Sequence, residues 1–178
     1  MYKLKKLIRS DRYIYHTNDL AILWNITNKN TLYTTIKRYV QKGVLIPIYK
    51  GLYSTVPVSE LDPLALGRAV IHRYTYLTTE SVLAHAGIIS QPTYAYTFVS
   101  SLSKKMSVGS FSFLFRKLKD KYLFNPTGII NNDSNFIATT ERAVADMIYF
   151  NPKYHFDFVE SIDFEKVQQI QKEIGYPC

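Results

Sequence analysis

The 178-residue chain is 47% apolar and carries a net charge of +8, a composition suited to folded cores rather than to a disordered tail. No stretch of bilayer-spanning length is free of charge, the start Met1-Tyr2-Lys3-Leu4-Lys5-Lys6 lacks the apolar core of an export signal, and the one cysteine, Cys178, can build neither an internal disulfide nor a cysteine metal cluster. These features predict a cytoplasmic protein with no membrane partner.

From Met1 to Ser10, Leu4, Leu7 and Ile8 are set against Lys3, Lys5, Lys6 and Arg9, the pattern of an amphipathic first helix. Tyr13-Ile14-Tyr15 reads as a short extended piece. Thr17 or Asn18 is placed to cap a helix over Asp19 to Trp24, with Leu20, Leu23 and Trp24 turned to the core. A polar turn, Asn25-Ile26-Thr27-Asn28, precedes a second helix predicted from Lys29 to Gln41, capped by Asn28 or Asn30. At the helical repeat Leu32, Ile36, Tyr39 and Val40 fall on one side, while Asn30, Thr34, Lys37, Arg38 and Gln41 fall opposite with Tyr33 at the margin. Gly43 stops this helix, Leu45 to Tyr49 reads as a strand, Lys50-Gly51 as its turn and Leu52 to Ser54 as the returning strand. Pro47 marks the first of these strands as an edge.

Helix, turn, helix and hairpin in this order read as a winged helix-turn-helix. The outer helical face mixes cations with amide, hydroxyl and phenol groups, the chemical types that bond base edges and phosphate oxygens. The predicted DNA-binding residues are Lys29, Asn30, Tyr33, Thr34, Lys37, Arg38 and Gln41 on the helix and Lys50 on the wing. Charge points the same way. Up to Thr55 there are ten basic residues against Asp11 and Asp19, a difference of +8 that equals the charge of the whole chain; beyond Thr55 12 basic and 12 acidic residues cancel. Neutralising phosphates with release of counterions is the usual physical use of such a footprint.

Thr55 to Glu60, with Pro57 inside it, has linker composition, which predicts a DNA-binding domain over residues 1–55 and an α+β domain over 56–178 with a mixed or antiparallel sheet and flanking helices. Asp62-Pro63 opens a helix continuing to about Arg73. Tyr76-Leu77 is extended, and Thr78 or Thr79 is placed to cap a short helix over Glu80 to His85, closed by Gly87. Ala95 to Ser100 and Ser110 to Arg116 have strand composition, with Phe111, Phe113 and Phe115 at period two. Asn125 to Ile137 offers two short strands around Asn131-Asn132-Asp133-Ser134. Thr139 or Thr140 caps a helix over Glu141 to Tyr149 that buries Ala143, Val144, Met147 and Ile148, and Asp163 to Ile174 is an amphipathic helix ended by Gly175.

Three stretches carry a family resemblance: Tyr39 to Ser54 (YVQKGVLIPIYKGLYS), Tyr76 to Gly87 (YLTTESVLAHAG) and Phe136 to Met147 (FIATTERAVADM). In their order and spacing the whole chain resembles the AbiEi family of antitoxins from type IV toxin-antitoxin systems. The resemblance implies a winged helix followed by an α+β antitoxin domain, repression of the protein's own operon through inverted repeats in double-stranded DNA, and neutralisation of a cognate nucleotidyltransferase-like toxin. A two-fold operator would be read by two copies.

Two other readings compete. A protein-interaction module would use the second domain to hold a partner and the basic segment only for solubility. A metal-dependent nuclease is disfavoured because no acidic residue is followed two places later by lysine, and His16, His72, His85 and His155 show no helical metal-ligand spacing. His85 reads as a core or helix-end histidine, and Arg142 with Asp146 as a structural i, i+4 pair. No catalytic residue, metal site or cofactor is predicted. Lys104, Lys105, Arg116, Lys117, Lys119 and Lys121 form a second basic cluster, either an extension of the DNA footprint, a face for an acidic partner or a solvated loop.

Overall fold

The computed structural model describes residues 2–132 and 135–177, the side chain of Tyr2 excepted. Met1 of the expected first helix, Asp133 and Ser134 of the expected turn, and Cys178 lie outside the described residues. The chain is α+β and divides into two compact units, Met1–Val70 with Val108–Ser110, and Ile71–Ser107 with Phe111–Cys178.

The first unit contains α1 (Tyr2–Ile8), β1 (Ile14–His16), α2 (Thr17–Trp24), α3 (Lys29–Gln41), β2 (Ile46–Tyr49), β3 (Leu52–Ser54) and most of α4 (Pro63–Ile71). Its three strands pair antiparallel in the order β1-β3-β2, so Pro47 lies on an edge strand, where a sheet tolerates proline. Leu7, Tyr15, Leu20, Trp24, Leu32, Ile36 and Leu45 form the buried core, each contributing roughly 1.5–3 kcal/mol of burial. Trp24 lies in that core against the ring of Tyr39, with centroids 5.1 Å apart.

Helix α2 begins at Thr17, two residues before the expected start. The carboxylate of Asp19 accepts the His16 N–H at 2.8 Å, which places the cap at His16, and the Thr17 hydroxyl donates instead to the Gly51 carbonyl at 3.2 Å. Helix α3 has the expected bounds, with Asn28 as its cap: the amide oxygen accepts the Thr31 N–H at 3.0 Å. Thr55 to Glu60 sits within the first unit, where the Ser54 hydroxyl bonds both the carbonyl and the N–H of Val56. The Asp62 carboxylate caps α4, which stops at Ile71 because His72 turns left-handed at φ 51°.

The second unit contains β4 (Thr75–Leu77), α5 (Glu80–His85), β5 (Tyr96–Ser100), all but the last residue of β6 (Lys104–Val108), β7 (Phe111–Lys117), α6 (Asp120–Leu123), β8 (Ile129–Asn132), β9 (Asn135–Ala138), α7 (Thr140–Phe150) and α8 (Phe164–Ile174). The sheet runs β6-β7-β5-β4-β9-β8 and is mixed: β5 and β7, and β4 and β9, are parallel, while β4 and β5, and β8 and β9, are antiparallel. Phe98, Phe113 and Phe115 stack across β5 and β7, with centroids 5.5 Å apart for Phe98 and Phe115. Lys104 and Lys105 belong to strand β6, not to a loop. Helix α5 follows Thr79, but neither threonine caps it with a side chain: the Thr78 hydroxyl goes to Asp146, and Thr79 sits at φ 50°, ψ −129° without a capping bond. Thr139 does cap α7. His85 is the last residue of α5 and is exposed, so of its two expected places it takes the helix end.

Candidate nucleic-acid interface

Helix α3 carries three of the first unit's cations, Lys29, Lys37 and Arg38, on its exposed side. Leu32, Thr35 and Ile36 are buried and Tyr39 and Val40 half-buried, fixing one side of the helix to the core. Lys29, Asn30, Tyr33, Thr34, Lys37, Arg38 and Gln41 are all exposed and, at about 100° per residue, fall within one half of its circumference. Tyr33, toward the margin of that face, is 56% exposed. Lys50 is exposed in the turn between β2 and β3. Thr31, within the helix, and Lys42, just past its end, are also exposed and were not among the expected contacts.

No carboxylate is ion-paired with Lys29, Lys37, Arg38 or Lys50 among the described residues. Their charges therefore face solvent unneutralised by the protein, which is what a polyanion would meet. The Asn28 cap leaves an exposed helix start whose first N–H groups and dipole favour negative charge nearby. Not every polar group on this face is free, because the Thr34 hydroxyl donates to the Asn30 carbonyl at 2.8 Å. The sequence pattern could not show that bond.

The second basic cluster is less available. Arg116 is ion-paired with Glu80 and lies over the Phe150 ring, 5.5 Å from its centroid, and Lys121 lies 4.6 Å over Tyr122. Lys105, Lys117, Lys119 and Lys121 are nonetheless exposed.

The polar centre of the second unit is closed. Arg142 and Asp146 are fully buried and joined at 2.9 Å. Arg142 Nε donates to Asp146, one terminal nitrogen to the carbonyls of Asn125 and Thr127, and the other to the Tyr76 hydroxyl and the Tyr122 carbonyl, which employs all five guanidinium N–H groups. Asp146 accepts in turn from Arg142, Tyr76, Thr78 and Tyr176. Burial works against the guanidinium's charge, but Asp146 and the two tyrosines outweigh it and hold Arg142 protonated. Burial and then the charge of Asp146 push the Tyr76 and Tyr176 hydroxyls well above the ordinary phenol range. The i, i+4 pairing is present, and the guanidinium N–H groups and both carboxylate oxygens are all engaged within the protein. Sequence reasoning missed the three hydroxyls that complete it; Tyr76 and Thr78 lie in one of the stretches carrying the family resemblance, and Arg142 and Asp146 in another. Among the described residues no three His, Cys, Asp or Glu side chains gather as a metal-holding group.

No protein-family model and no curated protein matches the chain. A solved structure, titled as the crystal structure of the RV2827C protein from Mycobacterium tuberculosis, is similar with a TM-score of 0.60 and 14% identity, over 98% of this chain and 70% of that one. The likeness is one of fold. No helix among the described residues is long and apolar enough to cross a membrane.

Proposed function

We propose that this chain is a sequence-specific DNA-binding repressor of the AbiEi type, acting in the cytoplasm, with its first unit a winged helix. Helix α3 enters the major groove with Asn30, Tyr33, Thr34, Lys37 and Arg38 toward base edges, flanked by Lys29 and Gln41, and Lys50 reaches the backbone from the hairpin. Two copies occupy an inverted repeat. The second unit serves as the antitoxin domain against a nucleotidyltransferase-like toxin, a role that rests on the resemblance of Tyr76 to Gly87 and Phe136 to Met147.

The observation carrying the DNA reading is the outward face of α3, where the cations stand among amide, hydroxyl and phenol groups and no carboxylate pairs with them among the described residues. A purely solubilising surface has no need of that mixture on one helical face. The test is a binding titration of the full chain on the duplex upstream of its own gene against a random duplex. The specific duplex is expected to bind more tightly, and Lys37→Ala to weaken that binding about tenfold, within the 1–3 kcal/mol of a base-edge contact. Equal affinity for both duplexes would defeat the specificity claim.

A further inference from the structure

Thr34 and Thr35 are neighbours on α3, and both turn their hydroxyls back along the helix. Thr35 donates to the Thr31 carbonyl at 2.7 Å and Thr34 to the Asn30 carbonyl at 2.8 Å. Thr35 is 4% exposed, so its hydroxyl needs a protein partner. Thr34 is exposed, and water would serve its hydroxyl equally well. A hydroxyl has one proton to give. With that proton on Asn30, Thr34 has no donor left for a base edge, and the methyl is the apolar group that this exposed side chain can set against one. Asn30 lies one turn before it on this face and Lys37 and Arg38 one turn after.

In the major groove the apolar group on a base edge is the C5-methyl of thymine. Resting on the reading of α3 as the recognition helix, we propose that Thr34 is a specificity-determining residue that selects thymine through methyl-to-methyl contact. The flanking amide and cations read acceptors and donors, and Thr34 supplies the apolar contact between them.

Two variants separate methyl from hydroxyl: Thr34→Val keeps the methyl and drops the hydroxyl, and Thr34→Ser does the reverse. The probe is a duplex selected by the full chain from a random-sequence pool, then resynthesised with deoxyuridine replacing thymidine at one position at a time. The wild-type protein is expected to lose about fourfold in affinity at one thymine of each half-site, the equivalent of one buried methyl at about 0.8 kcal/mol. Thr34→Ser should bind the thymine duplex about fourfold more weakly and be indifferent to uracil at that position, while Thr34→Val keeps wild-type discrimination. If uracil changes nothing at any position, or if Thr34→Ser discriminates as the wild type does, the thymine assignment is overturned while DNA recognition stands. If the pool yields no consensus and the protein binds all duplexes alike, the recognition-helix reading itself is overturned, and this inference with it.

Discussion

Arg142 is a charge held in the dry interior of the second unit, and its five bonds are what make that tolerable. Asp146→Ala removes the countercharge and leaves the guanidinium uncompensated, so a loss of about 3–5 kcal/mol is expected in reversible denaturation. The tyrosines give a separate handle. Their folded-state pKa values lie above the ordinary phenol value of 10.0, so the stability they contribute is complete below about pH 10 and is lost as pH rises further. Tyr176→Phe should lower stability at neutral pH by roughly 1–2 kcal/mol for the lost bond to a charged group and flatten the alkaline decline, measured as denaturation midpoints between about pH 8 and 11. The i, i+4 spacing of Arg142 and Asp146 made their pairing legible in the sequence. Tyr76, Thr78 and Tyr176 were not legible as partners, because only the packing of β4, α7 and the segment after α8 brings them there. Thr79 is a further case: it is a β-branched residue at φ 50° with a buried, unpartnered hydroxyl, and nothing in YLTTES marks it.

Among the elements, α3 was readable to its termini because every determinant is local: a capping asparagine, an apolar stripe at the helical repeat and a left-handed Gly43 just past the end. Asn28→Ala should cost about 1 kcal/mol, seen as a lowered Tm, by orphaning the Thr31 N–H. The outward placement of all eight expected contact residues follows from the same periodicity together with the hairpin turn. What period cannot reveal is a side-chain rotamer, which is why the Thr34 hydroxyl was read as available. Strand β6 was missed because its alternation is masked: half-buried positions hold Lys104 and Met106, and exposed ones hold Lys105 and Ser107. Helix α6, Asp120–Leu123, spans too few residues for any repeat to show. The start of α2 was misplaced because a carboxylate three residues into the helix, not Thr17 or Asn18, decides the cap.

For the whole molecule the charge distribution sets the experiment. The +8 excess falls entirely before Thr55 and the rest of the chain balances, so DNA binding should weaken steeply with salt. Log affinity against log salt should lose about 0.9 of slope for each phosphate-contacting cation removed. Lys50→Ala is expected to flatten the slope by that amount while changing discrimination between duplexes little, and an unchanged slope would remove the hairpin from the interface. The α+β class was legible from composition and strand spacing. The order of the larger sheet was not: the parallel pairings of β5 with β7 and β4 with β9 join strands separated by other elements, and no local pattern specifies such neighbours.

Thr17 makes two bonds to the Gly51 carbonyl, from its N–H at 2.9 Å and its hydroxyl at 3.2 Å. These anchor the tip of the β2–β3 loop to the first turn of α2, and they do so whether or not any ligand is near. If a polyanion docks at Lys50, the neighbouring main chain is already tied down at Gly51, and most of the ordering left to do is in the lysine's own side-chain torsions. The ammonium group of Lys50 thus swings on its own side chain from a main chain held at the neighbouring residue.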